Sequence, residues 1–307
     1  MALSLVPGTC CICDGAESDP IAVGEDFEYH TSRDTFLAVR CRGCGLVYLD
    51  PRPAGSEFVR IYPPTYRSFD FAEPANPIVR KVRQFFERKR LARWIGAADD
   101  TSVLDVGCGD GFHLAILRAQ DPLRRLAGVE LNALAAHRAR ARGFDVSRVG
   151  IETAQIDARF ARALMIQTIE HVEDPAVALR AIHGLLVREG RLVIVTDNTN
   201  SLDRVAFAGR HWGGYHFPRH LALFDRSNLK RLAERCGFRV VSIQTIVSPV
   251  NWVYSIRNVL VDYKAPAWLY ERFSLSSVPA LAVFTIVDAL ACRLGRGALL
   301  QAVLERR

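Results

Sequence analysis

Between residues 102 and 248, short apolar runs alternate with stretches in which apolar residues recur every three or four positions. Residues 102–106, 125–130, 163–168 and 192–196 are mainly apolar and too short for helices, the pattern of strands buried on both faces. Residues 112–118, 133–141 and 175–187 carry helical spacing. Strand and helix in alternation predict an α/β unit with a doubly wound, mostly parallel sheet. Asp225 or Ser227 is placed to cap a further helix ending at Gly237, and residues 238–247 and 298–304 supply two more strands. The third strand is poorly defined. Ahead of the sheet, Ile78, Val79, Val82, Phe85, Phe86, Leu91, Trp94 and Ile95 fall at helical spacing, predicting a helix over 78–95 with these residues as its buried stripe.

Composition bounds the answer without choosing it. A chain of 307 residues, 50% hydrophobic and 24% charged, has the make-up of a globular protein of one large or two modest domains. The balance of 40 Lys and Arg against 33 Asp and Glu gives +7, which permits acidic partners and demands none. Residues 1–13 offer no basic run followed by an apolar stretch, so a reducing cytoplasmic setting is expected. The longest apolar run, 278–292, is interrupted by Asp288 and is too short to span a bilayer, though lying on one is compatible with it.

The most informative stretch is Val103-Leu104-Asp105-Val106-Gly107-Cys108-Gly109-Asp110-Gly111-Phe112, an apolar strand that runs into three alternating glycines and then a helix. Backbone can approach a ligand closely there. A dinucleotide fingerprint would need glycine where Phe112 stands, which disfavours that reading. Glu130, at the end of the next strand, is placed to accept both hydroxyls of a ribose, and Asp105 to orient the loop amides or meet a ligand ammonium.

These residues resemble the cofactor motifs of class I S-adenosylmethionine-dependent methyltransferases. The similarity extends to Gln167-Thr168-Ile169-Glu170-His171-Val172-Glu173-Asp174-Pro175, after the fourth strand, and to residues 185–192. The resemblance implies a seven-stranded Rossmann-like sheet and transfer of a sulfonium-bound methyl group. Its cofactor-binding set here would be Asp105, Gly107, Cys108, Gly109, Gly111, Glu130, Leu131, Gln167 and Glu170, with His171 fixing loop geometry and Glu152 a candidate for the adenine edge.

Cys10, Cys13, Cys41 and Cys44 form two Cys-x-x-Cys pairs, the donor set of a closed tetrahedral zinc site. A structural zinc ribbon is expected, since four thiolates leave no open position for catalysis. Cys11 fits the spacing less well, and a disulfide is disfavoured in a reducing compartment. A ribbon ahead of this fold is similar to methyltransferases of surface-polysaccharide and natural-product pathways, some of them sugar C-methyltransferases, and also to certain ribosomal RNA methyltransferases.

The acceptor chemistry is expected in residues 211–224, where His211, Trp212, Tyr215, His216, Arg219 and His220 crowd together. A neutral imidazole can remove an acceptor proton near pH 7. His220 is the preferred base, Tyr215 and His216 are alternatives, Arg219 is a candidate for holding an acceptor phosphate or carboxylate, and His211 is expected in solvent. The organisation expected is a zinc ribbon over 1–55, a linker over 56–75, a methyltransferase core over 76–248, an apolar insertion or lid over 249–296 and a last core strand over 297–307. The function expected is methyl transfer to an oxygen or carbon of a small metabolite such as a sugar nucleotide. RNA methylation and a non-catalytic binding role are the alternatives. Nucleic acid is not expected as a partner, whereas a peripheral membrane or lipid-linked contact and a homodimer are compatible with the basic 78–95 helix and the apolar insertion.

Overall fold

The structure is a computed structural model that describes residues 2–63, 66, 77–96 and 102–307. Its first part holds five short strands, β1 (Leu5–Val6), β2 (Ser18–Gly24), β3 (Phe36–Cys41), β4 (Val47–Leu49) and β5 (Arg52–Pro53). Two tight turns flank them: the Asp14 N–H bonds the Cys10 carbonyl and the Gly45 N–H bonds the Cys41 carbonyl. Both turns end in the left-handed region, at Asp14 (φ +54°) and Gly45 (φ +79°).

The main sheet contains β6 (Val103–Val106), β7 (Leu126–Val129), β8 (Asp145–Ser147), β9 (Phe160–Ile166) and β10 (Leu186–Asp197); β11 (Ala222–Leu223) lies outside it, and β12 (Phe238–Ile246) and β13 (Leu299–Arg306) complete it. Its seven strands run in the order β12-β13-β10-β9-β6-β7-β8, parallel except where β13 pairs with β10 and β12. The weakly patterned third strand is β8, three residues long, at the sheet edge.

Side chains alternate across this sheet with period two. Leu104, Val106, Ala163, Met165, Leu192 and Ile194 pack on one face with Leu179, Ile182, Leu229 and Leu232. Val103, Leu164 and Val193 pack on the other with Leu91, Ile95, Leu114 and Leu117. β6 and β9 are parallel neighbours from which the strand order runs outward in opposite directions, so the loops after β6, β7 and β9 open into one crevice, where open α/β sheets bind ligands.

The ribbon does not stand apart from the core. β11 adds to the ribbon sheet in the order β11-β4-β3-β2, with Ala222 opposite Tyr48 and Leu223 opposite Val47. Phe36, Ala38, Val47 and Leu49 share a hydrophobic cluster with Trp212, Tyr215, Phe217, Leu221 and Leu223. The segment expected as a linker contributes to it, because Phe58–Ile61 is helical and buries Phe58 and Ile61; residues 64–65 and 67–76 lie outside the described residues.

The helix before the sheet spans Pro77–Ile95 but corrects the expected stripe. Phe85 and Phe86 are 53% and 54% exposed, and among its residues only Leu91 and Ile95 are buried. The insertion folds into helices Val250–Asp262, Ala267–Tyr270 and Val278–Arg293. No helix among the described residues is long and apolar enough to cross a membrane.

Candidate active site

The chain leaves β6 through Gly107, Gly109 and Gly111, whose φ angles are +74°, +55° and +81°. A side chain costs about 1–2 kcal/mol in that region. Space closes two of the positions as well: a Cβ on Gly107 would stand 2.5 Å from Thr168 Oγ1, and one on Gly111 3.0 Å from the Phe144 ring. The thiol of Cys108 is turned inward, since a Cβ on Gly128 would stand 2.6 Å from its Sγ. Position 108 therefore offers a ligand its backbone and not its side chain.

Glu130 follows β7 and accepts the Gly109 N–H at 2.9 Å and the Asn132 N–H at 2.7 Å. An ionised carboxylate has about four lone-pair sites, so two remain for the hydroxyls of a ribose. Asp105 is 1% exposed, and its Oδ2 has no hydrogen-bond partner among the described residues. Burial, then the charge of Glu130, push its carboxyl up to about 7. An ammonium group beside it would satisfy the orphaned oxygen and favour the ionised form. These two carboxyls and the glycine turn fit S-adenosylmethionine, and the exposed Leu131 offers apolar surface for its base. Glu152, the candidate for the adenine edge, lies in the 3-10 turn Ile151–Thr153, where burial and then Glu173 raise its pKa.

The loop after β9 is held from below. Gln167 takes φ +50°, and its Nε2 donates to Glu170 Oε1 at 2.7 Å, while Thr196 Oγ1 donates to Glu170 Oε2 at 2.8 Å. Glu170 is fully buried, which pushes it up to about 7, and its carbonyl accepts the Leu221 N–H. Both residues thus brace the loop that carries Thr168 to the glycine turn.

His171, His216 and His220 come together above that loop, with ring centroids 4.6 Å (171 to 220), 5.0 Å (216 to 220) and 6.3 Å (171 to 216) apart. Carbonyl and carboxylate oxygens fix their tautomers, because these can only accept. His220 Nδ1 donates to the Gly214 carbonyl at 2.8 Å, with Asp197 Oδ2 at 3.4 Å. His171 Nδ1 lies 3.1 Å from the Arg219 carbonyl and 2.9 Å from the Tyr62 hydroxyl. His216 Nδ1 donates to Glu28 Oε1 at 2.8 Å, and the Tyr66 hydroxyl caps its Nε2 at 3.3 Å. Burial, then the two other imidazoles, hold His220 well below the usual histidine range. Burial and then His216 hold His171 at about 3. Glu170, His171 and His220 also bring ligand-type atoms within 4.8 Å of one another, but both Glu170 oxygens are engaged as described.

Tyr62, Tyr66 and Tyr29 roof this cluster, with centroids 4.9 Å (62 to 66) and 5.2 Å (29 to 66) apart, and Tyr66 packs on Ala135 of the helix capped by Asn132. The roof thus links the imidazoles to the ribose side of the crevice. Glu28, Tyr29, Tyr62 and Tyr66 had no local signal in the sequence; only their approach across about 100 to 200 residues of chain reveals them.

Three expectations for residues 211–220 are corrected. Arg219 is fully buried and spends its guanidinium inside the protein: Nη1 and Nη2 donate to Asp26 at 3.0 and 2.8 Å, and Nε donates to the Ile61 carbonyl at 2.7 Å. It clamps the ribbon to the core and is not offered to an acceptor anion. Tyr215 is 1% exposed between Trp212 and Phe217, each 5.0 Å away, so it is a packing residue and not a base. His211 is not in open solvent but pairs with Asp262 at 2.8 Å.

In the ribbon, the structure gathers Cys10, Cys13, Cys41 and Cys44 and leaves Cys11 out. Sulfur separations are 3.3 Å (10 to 44), 3.4 Å (13 to 41) and 3.6 Å (10 to 13). A tetrahedral zinc with bonds of about 2.3 Å would set sulfurs about 3.8 Å apart, so the cluster has the size of such a site.

A sheet in this order, with a nucleoside cradle after its first two core strands, defines a class I S-adenosylmethionine-dependent methyltransferase. Residues 68–243 of the 307 match the methyltransferase domain family, and the chain belongs to that family. An uncharacterised methyltransferase of Mycobacterium tuberculosis is 34% identical over 33% of this chain, which spans about half (52%) of that relative's length. A ubiquinone biosynthesis O-methyltransferase of Cereibacter sphaeroides is 27% identical over 52% of this chain and 70% of its own. A tRNA (guanine-N(7)-)-methyltransferase of Rubrobacter xylanophilus is 26% identical over 47% of this chain and 75% of its own. The fold is similar to that of a SAM-dependent methyltransferase from Thermotoga maritima, with TM-score 0.51, 18% identity and coverage of 80% of this chain and 98% of that one.

Proposed function

We propose that the protein methylates an oxygen or carbon atom of a small metabolite, with a histidine base from the turn at 216–220 and a structural zinc in the ribbon. The observation that carries the reading is the enclosed cluster of three imidazoles under Tyr29, Tyr62 and Tyr66, beside the nucleoside cradle. S-adenosylmethionine, when bound, supplies an electrophilic methyl group. Asp105 and Glu130 would hold its ammonium and ribose, and the loop braced by Glu170 would set the distance to the acceptor.

The geometry favours His216 over His220 as the base. Protonating His220 would place a cation among two other imidazoles in a buried site. His216 instead donates from Nδ1 to Glu28 Oε1 at 2.8 Å, which fixes its tautomer and orients the ring. Its Nε2 carries the lone pair, and the 3.3 Å contact from Tyr66 is long enough for an acceptor hydroxyl to replace. His220 and His171 then shape the pocket.

The O-methyltransferase relative supports a small acceptor, as does an enclosed site. RNA methylation is the second reading, favoured by the tRNA methyltransferase relative and by exposed Phe85 and Phe86 on a basic helix. Label transferred from cofactor into a metabolite extract and not into purified RNA decides for the first. His216→Gln and Glu28→Gln should each lower kcat by about 10² while S-adenosylhomocysteine binds as tightly as before. Full turnover in His216→Gln removes it as the base.

A further inference from the structure

The helix Val278–Arg293 is as apolar toward water as toward the protein. Val278, Val283, Ile286 and Leu290 are 39%, 55%, 66% and 54% exposed, and Leu294 beyond it 71%. The single acidic residue within it, Asp288, is turned inward, accepting from Trp252 Nε1 at 3.1 Å and from the Ser248 N–H at 2.8 Å. A surface helix normally shows the reverse arrangement. The chain just before it adds Tyr263 (78% exposed) and Trp268 (62%), with the Arg272 guanidinium 5.4 Å over the Trp268 ring. Lys264, Arg272 and Arg293 are exposed at the rim.

A second helix repeats the pattern independently. On Pro77–Ile95, Ile78, Val82, Phe85 and Phe86 are at least half exposed, among the exposed Arg80, Lys81, Arg88, Lys89 and Arg93. The two helices are each tied to the same short stretch of chain: Arg90 Nη2 donates to the Val247 carbonyl at 3.3 Å, and the Ser248 N–H donates to Asp288 Oδ2 at 2.8 Å.

We propose that these two helices form one surface that docks on an anionic lipid bilayer. Aliphatic side chains with Trp and Tyr beside Lys and Arg match the layers of a membrane interface, from acyl chain to headgroup. The basic residues suit negatively charged lipid, whereas a second copy would set like charges against each other. A helix of 16 residues lies on such a surface and does not span it.

The test is co-sedimentation of the full chain with phosphatidylcholine vesicles containing rising fractions of phosphatidylglycerol. Binding should grow with the anionic fraction and weaken with salt. Ile286→Asp with Leu290→Asp, and separately Phe85→Ser with Phe86→Ser, should each lower partitioning by about tenfold or more. All four positions face solvent, and unchanged S-adenosylhomocysteine affinity shows that the variants fold. Four results overturn the proposal: no vesicle binding, binding kept by both double variants, a solution dimer that Ile286→Asp with Leu290→Asp dissociates, or RNA retention through Phe85 and Phe86 without vesicle binding.

Discussion

Asp105 is the residue through which pH should act most directly on cofactor binding. Its carboxyl sits at about 7 in the fold, against about 3.9 in an unfolded chain. Between those values the native protein holds a proton that the unfolded chain has released, so this residue's contribution to stability declines as pH rises through the window. A ligand ammonium reverses the preference by favouring the carboxylate. Affinity for S-adenosylhomocysteine should therefore weaken as pH falls below about 7, approaching tenfold per unit at the steepest. Calorimetry across this range checks it, with proton release visible in buffers of different ionisation enthalpy. Asp105→Asn should flatten the profile; an equally steep profile in that variant would reject Asp105 as the linked group.

At the scale of elements, the turn from Gly213 to Leu223 is held at both ends by parts of the chain far from it in sequence. Its Arg219 grips Asp26 from the loop between β2 and β3, and the Gly213 N–H bonds Ser255 of the insertion at 2.8 Å. Burial pushes the Asp26 carboxyl up, but the guanidinium more than offsets this and holds it far below the usual carboxylate range. Removing one partner leaves a buried, unpaired charge, at a cost of about 3–5 kcal/mol. Arg219→Met should lower stability by that amount in urea denaturation, and adding Asp26→Asn should restore much of it. Additive losses in the double variant would show that the two residues act separately.

Across the whole molecule, the ribbon and the methyltransferase core divide the site between them. Glycine turn, Asp105 and Glu130 belong to the core sheet, whereas Glu28, Tyr29 and Asp26 come from the ribbon, whose sheet is completed by β11 from the core. Loosening the ribbon should therefore damage the acceptor side and spare the cofactor side. Zinc removal by chelation, or Cys13→Ser, should abolish most methyl transfer while S-adenosylhomocysteine binding persists, with metal content followed by mass spectrometry. Undiminished transfer by zinc-free protein would show that the ribbon is not needed to hold the acceptor site.

Local patterns in the chain are enough to specify the sheet, the glycine turn with its two carboxyls and the four-cysteine cluster. Each is a local pattern: apolar runs of strand length, glycines between Asp105 and Phe112, two Cys-x-x-Cys pairs. Which polar residues of 211–220 are consumed by internal partners follows from long-range packing, because composition does not reveal partners. Arg219 reads as a free cation until Asp26 arrives from 193 positions away, and His216 is one histidine among several until Glu28 reaches it across 188. The same holds for Phe85 and Phe86: helical spacing says that they share a face, and only the packing of neighbouring elements says that the face is left to solvent.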